Sequence, residues 1–521
     1  MKRLPLYPFL FVLYIILTPL VRNLDQLDPS LALRPLALLF LATAGGLLLF
    51  YLLFRDWQYA GHLVFLLILF FLVSGHLNRF IKDQLSNFGK VLDERIFLAI
   101  CAGALGILAI KSVWARLGGR TWLVSYLNFV VAFSLLFPFY GLITGFIHKP
   151  YSARNASSNV QTGLGDIELD CSDTPDIYYI ILDGYGRADV IKELYGLDNE
   201  SFIKYLERNG FYVATESQTN YIQTVFSIPA GLNLNYIDPP GEGVNGQSYF
   251  SGLIRHNEIM AMLKHCGYQT VSIESGFYFT NDPDVDVYLA RGIGANEFES
   301  LLLADSPVDV LSTELNLEPS ELSYEAHRRR VLYSFEKLGN LYKMNGPKFV
   351  FAHIISPHPP FVFDQSGKPV NPQRSYFIGD GDDFQGNPRD YLTGYPAQVQ
   401  FVNQKMGQVI DTILANSSSP PIIIIQGDHG PGSHLDWDSP KNTCLWERTP
   451  ILNAYHLPGD KARLLYPSIS PVNSFRVVLN AYFGTKLPLL SDETYFTSHR
   501  LERQAIDITV ERSSLANCNL H

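Results

Sequence analysis

Three short apolar runs in the second half of the chain each lead into residue types that bind metals or phosphate. The runs occupy residues 176–184, 349–358 and 422–430. β-Branched and aromatic residues in short runs bounded by Gly, Pro or Asp predict strands buried on both faces, as in a parallel sheet. In an open α/β sheet the ligand lies beyond the carboxyl ends of the strands. We therefore expect the polar ends of the runs to meet at one edge of the sheet. These polar ends are Asp183, His358, Asp428 and His429.

Two carboxylates and two imidazoles at one edge form a ligand set for a divalent cation. Imidazole nitrogens and carboxylate oxygens together suit a borderline ion such as zinc or manganese. The sequence therefore predicts a metal-dependent active site at the ends of these strands.

A hydroxyl that can act as a nucleophile lies in the segment of residues 219–232. We expect a loop or strand to give way to a helix near Thr224. A hydroxyl at a helix N-terminus faces free N–H groups and the positive end of the helix dipole, which favour an alkoxide or a bound phosphate. A divalent cation would lower the pKa of the hydroxyl further. The alternative is that Thr224 only caps the helix.

The first 148 residues are apolar enough to form a membrane anchor. Uncharged stretches at residues 35–54, 57–78 and 121–148 reach the roughly 20 residues that a helix needs to cross a bilayer. Residues 4–21 form a shorter stretch without a small-residue cleavage pattern, which favours an uncleaved first span over a signal peptide. Residues 96–110 are the weakest candidate. We predict five spans, with four as the alternative.

The number of spans decides on which side of the membrane the C-terminal part lies. Five spans with the N-terminus inside place that part outside the cytoplasm. Basic residues are equally numerous in the segments on the two sides, so the positive-inside rule does not decide. Residues 149–175 are rich in Ser, Asn, Gly and Thr and predict a linker. Residues 176–521 are long enough for one large α/β domain.

The charge of the chain argues against nucleic acid as a partner. The net charge is −10 and the pI is near 5.7, which is opposite to the charge that binds phosphate backbones. The basic run at residues 327–330 follows a helical pattern, and we expect it on a solvated or headgroup-facing helix surface.

The five cysteines show no metal-binding spacing. Neither a CxxC pair nor a zinc-finger pattern occurs among them. Because Cys101 falls in a predicted span, at most two disulfides can form outside the membrane, and the sequence does not settle their pairing. The remaining cysteines are Cys171, Cys266, Cys444 and Cys518.

Four motifs occur in the order in which they occur in a known group of enzymes. They are Ile-Leu-Asp-Gly-Tyr at residues 181–185, Asn-Tyr-Ile-Gln-Thr-Val-Phe-Ser at 220–227, His-Ile-Ile-Ser-Pro-His-Pro-Pro-Phe at 353–361 and Gly-Asp-His-Gly at 427–430. This set resembles the sulfatase-like branch of the alkaline phosphatase superfamily. Together with the apolar N-terminal part, it resembles lipoteichoic acid synthase and the lipid A phosphoethanolamine transferases. The resemblance covers about residues 174–490.

The resemblance implies a role for each matching residue. Asp183 corresponds to the first acidic metal ligand. Thr224 corresponds to the nucleophile, which also touches the metal and becomes covalently phosphorylated. Asp428 and His429 correspond to the later Asp-His ligand pair of the same cation. His358 corresponds to the histidine of the H-x-P-F element, which binds the substrate phosphate or protonates the leaving group.

The chain also departs from parts of this family. Formylglycine sulfatases carry Cys or Ser in a C/S-x-P-x-R run, whereas Thr224 is followed by Val-Phe-Ser-Ile, which argues against sulfatase chemistry by that route. Enzymes with two zinc ions add an Asp-x-x-x-His pair that has no clear match here. His353 and His434 are candidates for a second metal or for the substrate, and a core histidine is the favoured interpretation of His353. Arg448 lies in a stretch similar to one in related chains, without an assigned role.

We therefore predict an N-terminal α-helical transmembrane bundle followed by an α/β domain with a mostly parallel central sheet. The enzyme would transfer a phosphoryl group from a lipid-linked phosphodiester, such as phosphatidylglycerol or phosphatidylethanolamine, through Thr224 to a second alcohol. One zinc or manganese ion is expected, and a second is the alternative. The alternative functions are a hydrolase that uses water and a catalytically silent membrane scaffold. We expect a multi-pass protein of the cell membrane with an envelope substrate, no nucleic acid and an extracytoplasmic catalytic domain, and we predict no oligomeric state.

Overall fold

The computed structural model divides the chain into two compact units. Residues 1–150 and 293–326 form the first unit, and residues 151–292 and 327–521 form the second. The structure describes residues 4–22, 29–86, 103, 106, 121–147, 167–240, 246–291, 298–299, 302, 324–370, 384, 388–498, 504–512 and 518.

The described part of the first unit is helical. A 3-10 turn at Pro29–Ala32 leads into the second helix. The helices are α1 (Tyr7–Arg22), α2 (Leu33–Phe54), α3 (Trp57–Ser86), α4 (Thr121–Ser134) and α5 (Leu136–Ile147). Two helical stretches, Pro29–Phe54 and Trp122–Thr144, are long and apolar enough to cross a membrane, and Tyr7–Val21 and Trp57–Phe71 are shorter apolar helices.

These helices coincide with four of the five predicted spans. Of the remaining span, residues 96–110, the structure describes only Gly103 and Gly106, so five spans remain a prediction. Large apolar side chains of these helices are exposed, for example 70% of the surface of Leu41, 68% of Phe129 and 71% of Tyr140. Exposure of this kind over many residues is typical of helices that face lipid.

Polar contacts hold the first unit together at two places. The Asn128 Oδ1 atom accepts the N–H groups of Leu6 and Tyr7 at 3.0 and 2.8 Å, which satisfies backbone donors at the start of α1. The Arg34 guanidinium donates to both carboxylate oxygens of Glu299, and Phe298 is fully buried among residues of α1. Phe298, Glu299 and Leu302 therefore contact helices that precede them by more than a hundred positions.

The second unit is built on a seven-stranded sheet. Its strands are β1 (Ile177–Leu182), β2 (Phe211–Val213), β3 (Gln269–Ile273), β4 (Val287–Leu289), β5 (Lys348–Ile354), β6 (Ile422–Gln426) and β7 (Asn453–His456). The order across the sheet is β2-β7-β6-β1-β5-β3-β4. The pairs among β6, β1, β5, β3 and β4 are parallel, and β7 runs antiparallel to β2 and β6. The predicted α/β fold with a mostly parallel sheet is confirmed.

Strand β1 occupies the centre of the sheet and is buried along its whole length. Ile177 aligns with Phe349 of β5 on one side and with Ile422 of β6 on the other. The three apolar runs at residues 176–184, 349–358 and 422–430 therefore contain neighbouring strands, and the carboxyl ends of these strands lie at one edge of the sheet.

Helices surround the sheet and connect its strands. They are α6 (Ala188–Tyr195), α7 (Glu200–Arg208), α8 (Thr224–Leu232), α9 (Gly246–Arg255), α10 (Glu258–His265), α11 (Tyr324–Leu338), α12 (Pro388–Asn416), α13 (Leu445–Arg448) and α14 (Pro471–Tyr482). Helices α8 and α14 share one apolar core with β1, β5 and β6. A two-stranded sheet of Tyr495–Phe496 (β8) and Ile506–Asp507 (β9) lies near the C-terminus.

The expected solvated position of the basic run on α11 is wrong. His327, Arg328 and Arg330 are buried, with 2%, 5% and 6% of their surface exposed. The Arg328 guanidinium donates to the backbone carbonyls of Val362 and Val370 at 3.4 and 3.0 Å. Backbone carbonyls of a neighbouring loop thus replace the water that the charge loses on burial.

Four cysteines form two disulfides in the second unit. Cys171 pairs with Cys266 and Cys444 pairs with Cys518, with Cα–Cα distances of 5.2 and 4.8 Å. Disulfides persist in oxidising compartments and are rare in the cytosol. Two disulfides in this unit therefore suit a domain outside the cytoplasm. The structure also gives the pairing that the sequence left open.

Replacing both Cys171 and Cys266 with serine should lower the free energy of unfolding by about 2–4 kcal/mol, because the unfolded chain regains the freedom of a long loop. Thermal melting of the full-length protein would show the lower midpoint. Peptide mapping without reduction should recover the pairs Cys171–Cys266 and Cys444–Cys518, and recovery of mixed pairs such as Cys171–Cys444 would contradict the structure.

Candidate active site

The carboxyl ends of the three central strands gather the residues that the sequence singled out. Asp183 directly follows β1, Asp428 and His429 follow β6, and His358 lies four residues beyond β5. The backbone N–H of His358 donates to the Asp183 carbonyl at 3.0 Å, which holds the loop after β5 against the end of β1. Parallel strands in neighbouring positions thus bring residues together that are far apart in sequence.

The side chains of these residues surround one point. The His429 Nε2 atom lies 3.4 Å from Asp428 Oδ2 and 3.6 Å from Asp183 Oδ1. The Thr224 Oγ1 atom lies 3.2 Å from the same nitrogen. The His358 Nε2 atom is 3.9 Å from Asp183 Oδ1. The structure therefore brings together all five residues that the sequence predicted as ligands or catalytic groups.

Both acidic residues are buried and each has one oxygen atom without a hydrogen bond. Asp183 and Asp428 are 3% and 2% exposed, and Asp183 Oδ1 and Asp428 Oδ2 have no hydrogen-bond partner in the described part of the chain. Buried charges are costly unless they are paired or bind a metal.

Two overlapping groups of residues at this point bring potential ligand atoms for a divalent cation close together. Asp183 forms one group with His358 and His429 and another with His353 and Asp428, and the potential ligand atoms within each group lie within 4.8 Å of one another. The mixture of carboxylate oxygens and imidazole nitrogens matches zinc or manganese, as the donor types alone predicted.

Local contacts prepare His429 to offer its Nε2 lone pair. Its Nδ1–H donates to the Gly430 carbonyl at 2.9 Å, so Nε2 is the unprotonated nitrogen of the neutral ring. Burial and the positive charge of Arg448 lower the pKa of His429 to about 4, against the opposite influence of Asp428 and Asp183. His429 is therefore neutral at pH 7, which is the state that binds a metal.

The histidines around Asp183 favour the ionised form of its carboxyl group. Burial alone would raise the pKa of the Asp183 carboxyl, but His358, His353 and His429 hold that pKa below its usual range. Asp183 is therefore ionised at neutral pH, as a metal ligand must be.

Thr224 is the first residue of helix α8. Gln223 occupies the cap position in an extended conformation and makes no side-chain cap, so the alternative of Thr224 as a helix cap is wrong. The Thr224 hydroxyl instead faces His429, at the end of the helix where free N–H groups and the dipole stabilise negative charge.

His353 is a buried histidine with both ring nitrogens in use. Nε2 lies 3.1 Å from Asp183 Oδ2 and Nδ1 lies 2.8 Å from the Thr280 hydroxyl. Because a carboxylate only accepts hydrogen bonds, Nε2–H donates to Asp183 and the threonine hydroxyl donates to Nδ1. His353 thus orients the Asp183 carboxylate. It is a buried core histidine that also contacts a site residue.

Arg448 connects the nucleophile segment to the loop that carries His429. Its Nε donates to the Ile222 carbonyl at 2.9 Å, and its Nη1 donates to the Gly430 carbonyl at 3.0 Å. The side chain is 2% exposed. Arg448 therefore ties the segment that precedes Thr224 to the loop that contains His429.

Hydroxyl groups that the sequence analysis did not single out fix the backbone at Asp428. Ser227, one turn after Thr224, donates to the Asp428 carbonyl at 2.7 Å, and Thr219 donates to the same carbonyl at 2.5 Å. The Gly184 N–H donates to Asp428 Oδ1 at 3.1 Å. These contacts join β1, β6 and α8, and single Ser or Thr residues carry no sequence signal for such long-range bonds.

His434 lies on the same loop as His429 but outside the group of potential ligands around Asp183. Its half-buried ring contacts the Ser433 hydroxyl through Nδ1 at 2.9 Å. Among the described residues, the structure does not bring His434 into contact with the carboxylates. Its candidacy for a second metal or for the substrate therefore stays a prediction.

Comparison with known proteins places residues 175–468 within the model of the sulfatase family. No curated protein matches the sequence. Among solved structures, the zinc complex of the C-terminal periplasmic domain of EptC from Escherichia coli shares 12% identity, with a TM-score of 0.44 over 68% of this chain and 98% of that chain. The corresponding domain of phosphoethanolamine transferase EptC from Campylobacter jejuni shares 13%, with a TM-score of 0.36 over 61% and 92%. The soluble domain of lipooligosaccharide phosphoethanolamine transferase A from Neisseria meningitidis shares 12%, with a TM-score of 0.38 over 61% and 91%.

Replacing Asp428 with asparagine should weaken binding of zinc or manganese by about tenfold or more. Loss of a residue that only orients a ligand already weakens metal binding by about tenfold, and Asp428 is predicted to bind the metal directly. Metal content of the purified full-length protein, measured by mass spectrometry after dialysis, checks this. Asp411→Asn is the matched control, since Asp411 is exposed on α12 and accepts a hydrogen bond from Tyr205. Equal metal content in both variants would contradict the proposed ligand set.

Proposed function

The chain belongs to the sulfatase family, and from that premise we propose that it is a membrane-bound, metal-dependent phosphoryl-group transferase with Thr224 as its nucleophile. The observation that carries the proposal is the Thr224 hydroxyl, which lies at a helix N-terminus beside His429 and two buried carboxylates. A hydroxyl in such surroundings can attack a phosphodiester in line and hold the phosphoryl group covalently.

Asp183, Asp428, His429 and Thr224 are the residues that would hold the cation. A bound divalent ion supplies Lewis acidity, which lowers the pKa of a hydroxyl and neutralises charge on a phosphate. Thr224 begins helix α8, and the positive end of a helix dipole favours an anionic phosphoryl group attached to such a residue.

His358 is placed to give a proton to the leaving alcohol. Its Nδ1–H donates to the Pro359 carbonyl at 2.6 Å, so Nε2 is the atom that exchanges a proton with the substrate. The ring is only partly buried and lies beside Asp183. A histidine positioned in this way suits general acid catalysis.

A lipid-linked donor fits the apolar helices of the first unit. Two of these helices are long enough to cross a membrane, which would keep the enzyme where phosphatidylglycerol or phosphatidylethanolamine is concentrated. Transfer of the group from Thr224 to water instead of to an alcohol would make the enzyme a phosphodiesterase, and product analysis separates the two reactions.

The catalytic unit lies outside the cytoplasm in this proposal. Its two disulfides support that side, because such bonds persist in oxidising compartments. The disulfides bear on sidedness independently of the basic residues in the loops between the predicted spans, which are equally numerous on the two sides.

Replacing Thr224 with alanine should lower turnover by about a thousandfold or more while the metal stays bound, because only the attacking oxygen and one of several ligands are lost. Release of diacylglycerol from phosphatidylglycerol and phosphatidylethanolamine vesicles, measured beside metal content, checks both parts. Thr224→Ser keeps a hydroxyl and should retain more activity than Thr224→Ala. Full activity in Thr224→Ala would refute covalent catalysis by this residue.

A reporter that is active only in the cytoplasm, fused after His521, should give no signal. Five spans with the N-terminus inside place this end outside the cytoplasm. A reporter that is active only outside should give full signal at the same position. Strong cytoplasmic signal would mean that residues 96–110 do not span the membrane or that the whole bundle is inverted.

A further inference from the structure

The loop that follows β3 brings two buried hydroxyl groups up to His353. Ile273 at the end of β3 pairs with Ala352, directly before His353. The Thr280 hydroxyl lies 2.8 Å from His353 Nδ1, and the Ser275 hydroxyl lies 2.9 Å from Thr280 Oγ1. Ser275, Thr280 and His353 are 3%, 1% and 1% exposed. The loop therefore contacts the histidine in the interior, through the ring nitrogen that does not face Asp183.

The hydrogen bonds of this group run in one direction, toward Asp183. Because Asp183 accepts the Nε2–H of His353, Nδ1 accepts the hydrogen of the Thr280 hydroxyl. The Thr280 oxygen then accepts from the hydroxyl of Ser275. The Ser275 oxygen in turn accepts the Phe277 N–H at 3.0 Å. We call Ser275, Thr280 and His353 the donor chain, since each passes a hydrogen bond on toward Asp183 Oδ2.

Contacts within the loop hold the two hydroxyls in place. Asn281 Oδ1 accepts the N–H groups of Ser275 and Gly276 at 2.9 and 3.3 Å, which closes the loop on itself. Gly276 has a φ of 79°, a left-handed conformation that favours glycine. A side chain at this position would also collide with the Arg330 guanidinium. The donor chain is therefore built into the backbone of this loop.

The donor chain gives the two oxygens of Asp183 different surroundings. Oδ2 accepts from His353 at 3.1 Å, whereas Oδ1 is buried and finds no hydrogen-bond partner among the described residues. Oδ1 is also the oxygen that lies 3.6 Å from His429 Nε2. Asp183 thus has Oδ2 engaged and Oδ1 available for a cation.

We infer that Ser275 and Thr280 are positioning residues, which keep His353 a hydrogen-bond donor to Asp183 and withhold it from the metal. This inference rests on the proposed function, in which Asp183 binds a cation. Distance alone allows His353 as a ligand, since its potential ligand atom lies within 4.8 Å of those of Asp183 and Asp428. A ligand nitrogen needs a lone pair directed at the ion, and His353 Nε2 carries a hydrogen on that side. The site therefore takes one cation at Asp183 Oδ1, and His353 binds no second ion.

X-ray absorption of zinc bound to the full-length protein tests whether His353 is a ligand, because it counts the imidazoles on the ion. His353→Gln should leave that count unchanged. Zinc affinity, measured by competition with a chelating dye, tests the donor role. His353→Met donates no hydrogen bond and should lower the affinity by about tenfold or more. His353→Gln should lose less affinity than His353→Met, because a glutamine amide still donates to a carboxylate.

The hydroxyl of Thr280 is tested by a pair of variants that keep His353 in place, so they remain informative even if the His353 variants do not fold. Thr280→Val should lower zinc affinity by about threefold to tenfold, less than His353→Met because Thr280 acts through the imidazole. Thr280→Ser returns a hydroxyl and should restore the affinity. Thr270→Val is the matched control, since Thr270 is a buried threonine of β3 whose hydroxyl donates to Asp286 at 2.8 Å.

Loss of one imidazole from the ion in His353→Gln, or unchanged zinc affinity in Thr280→Val, would overturn the inference. Zinc binding by the unaltered protein that Asp428→Asn does not weaken would instead overturn the proposed function on which the inference rests.

Discussion

The approach of two buried carboxylates is the constraint on which the rest of the active site depends. Asp183 and Asp428 both lie within 3.6 Å of one imidazole nitrogen, and each has a buried oxygen that finds no hydrogen-bond partner among the described residues. Such a pair is stable only where positive charge or a cation balances it. His353 donates a hydrogen bond to Asp183, and the donor set around the pair matches a divalent ion, which would supply the positive charge.

The sheet makes this approach possible. Strand β1 pairs in parallel with β5 and β6, so three carboxyl ends meet at one edge. Asp183 at the end of β1 thereby contacts His353, 170 positions later, and Gly184 contacts Asp428, 244 positions later. Helix α8 then places Thr224 over that edge, and Ser227 and Thr219 fix the helix to the Asp428 carbonyl. Arg448 joins the residues before this helix to the loop after β6 through the carbonyls of Ile222 and Gly430. The position of the hydroxyl is therefore a property of the fold rather than of one loop.

The sequence predicted the strands and their polar ends because short apolar runs with abrupt ends identify buried parallel strands. The ends of these runs predicted Asp183, Asp428 and His429 as site residues. Thr224 was predicted from its expected place at a helix N-terminus and from the order of the motifs. The sequence could not predict the use of both nitrogens of His353, the contacts of Ser275 and Thr280 or the disulfide pairing, since each depends on segments brought together by folding. The basic run on α11 was misplaced because periodicity shows which residues share a face, not what covers that face.

Mass spectrometry of the full-length protein, loaded with manganese and incubated with vesicles of phosphatidylglycerol and phosphatidylethanolamine, tests the central claim most directly. The account predicts a phosphoryl-headgroup adduct on the peptide that contains Thr224, at a site that Thr224→Ala removes. Turnover without an adduct, or an adduct on another residue such as Ser227, would contradict it.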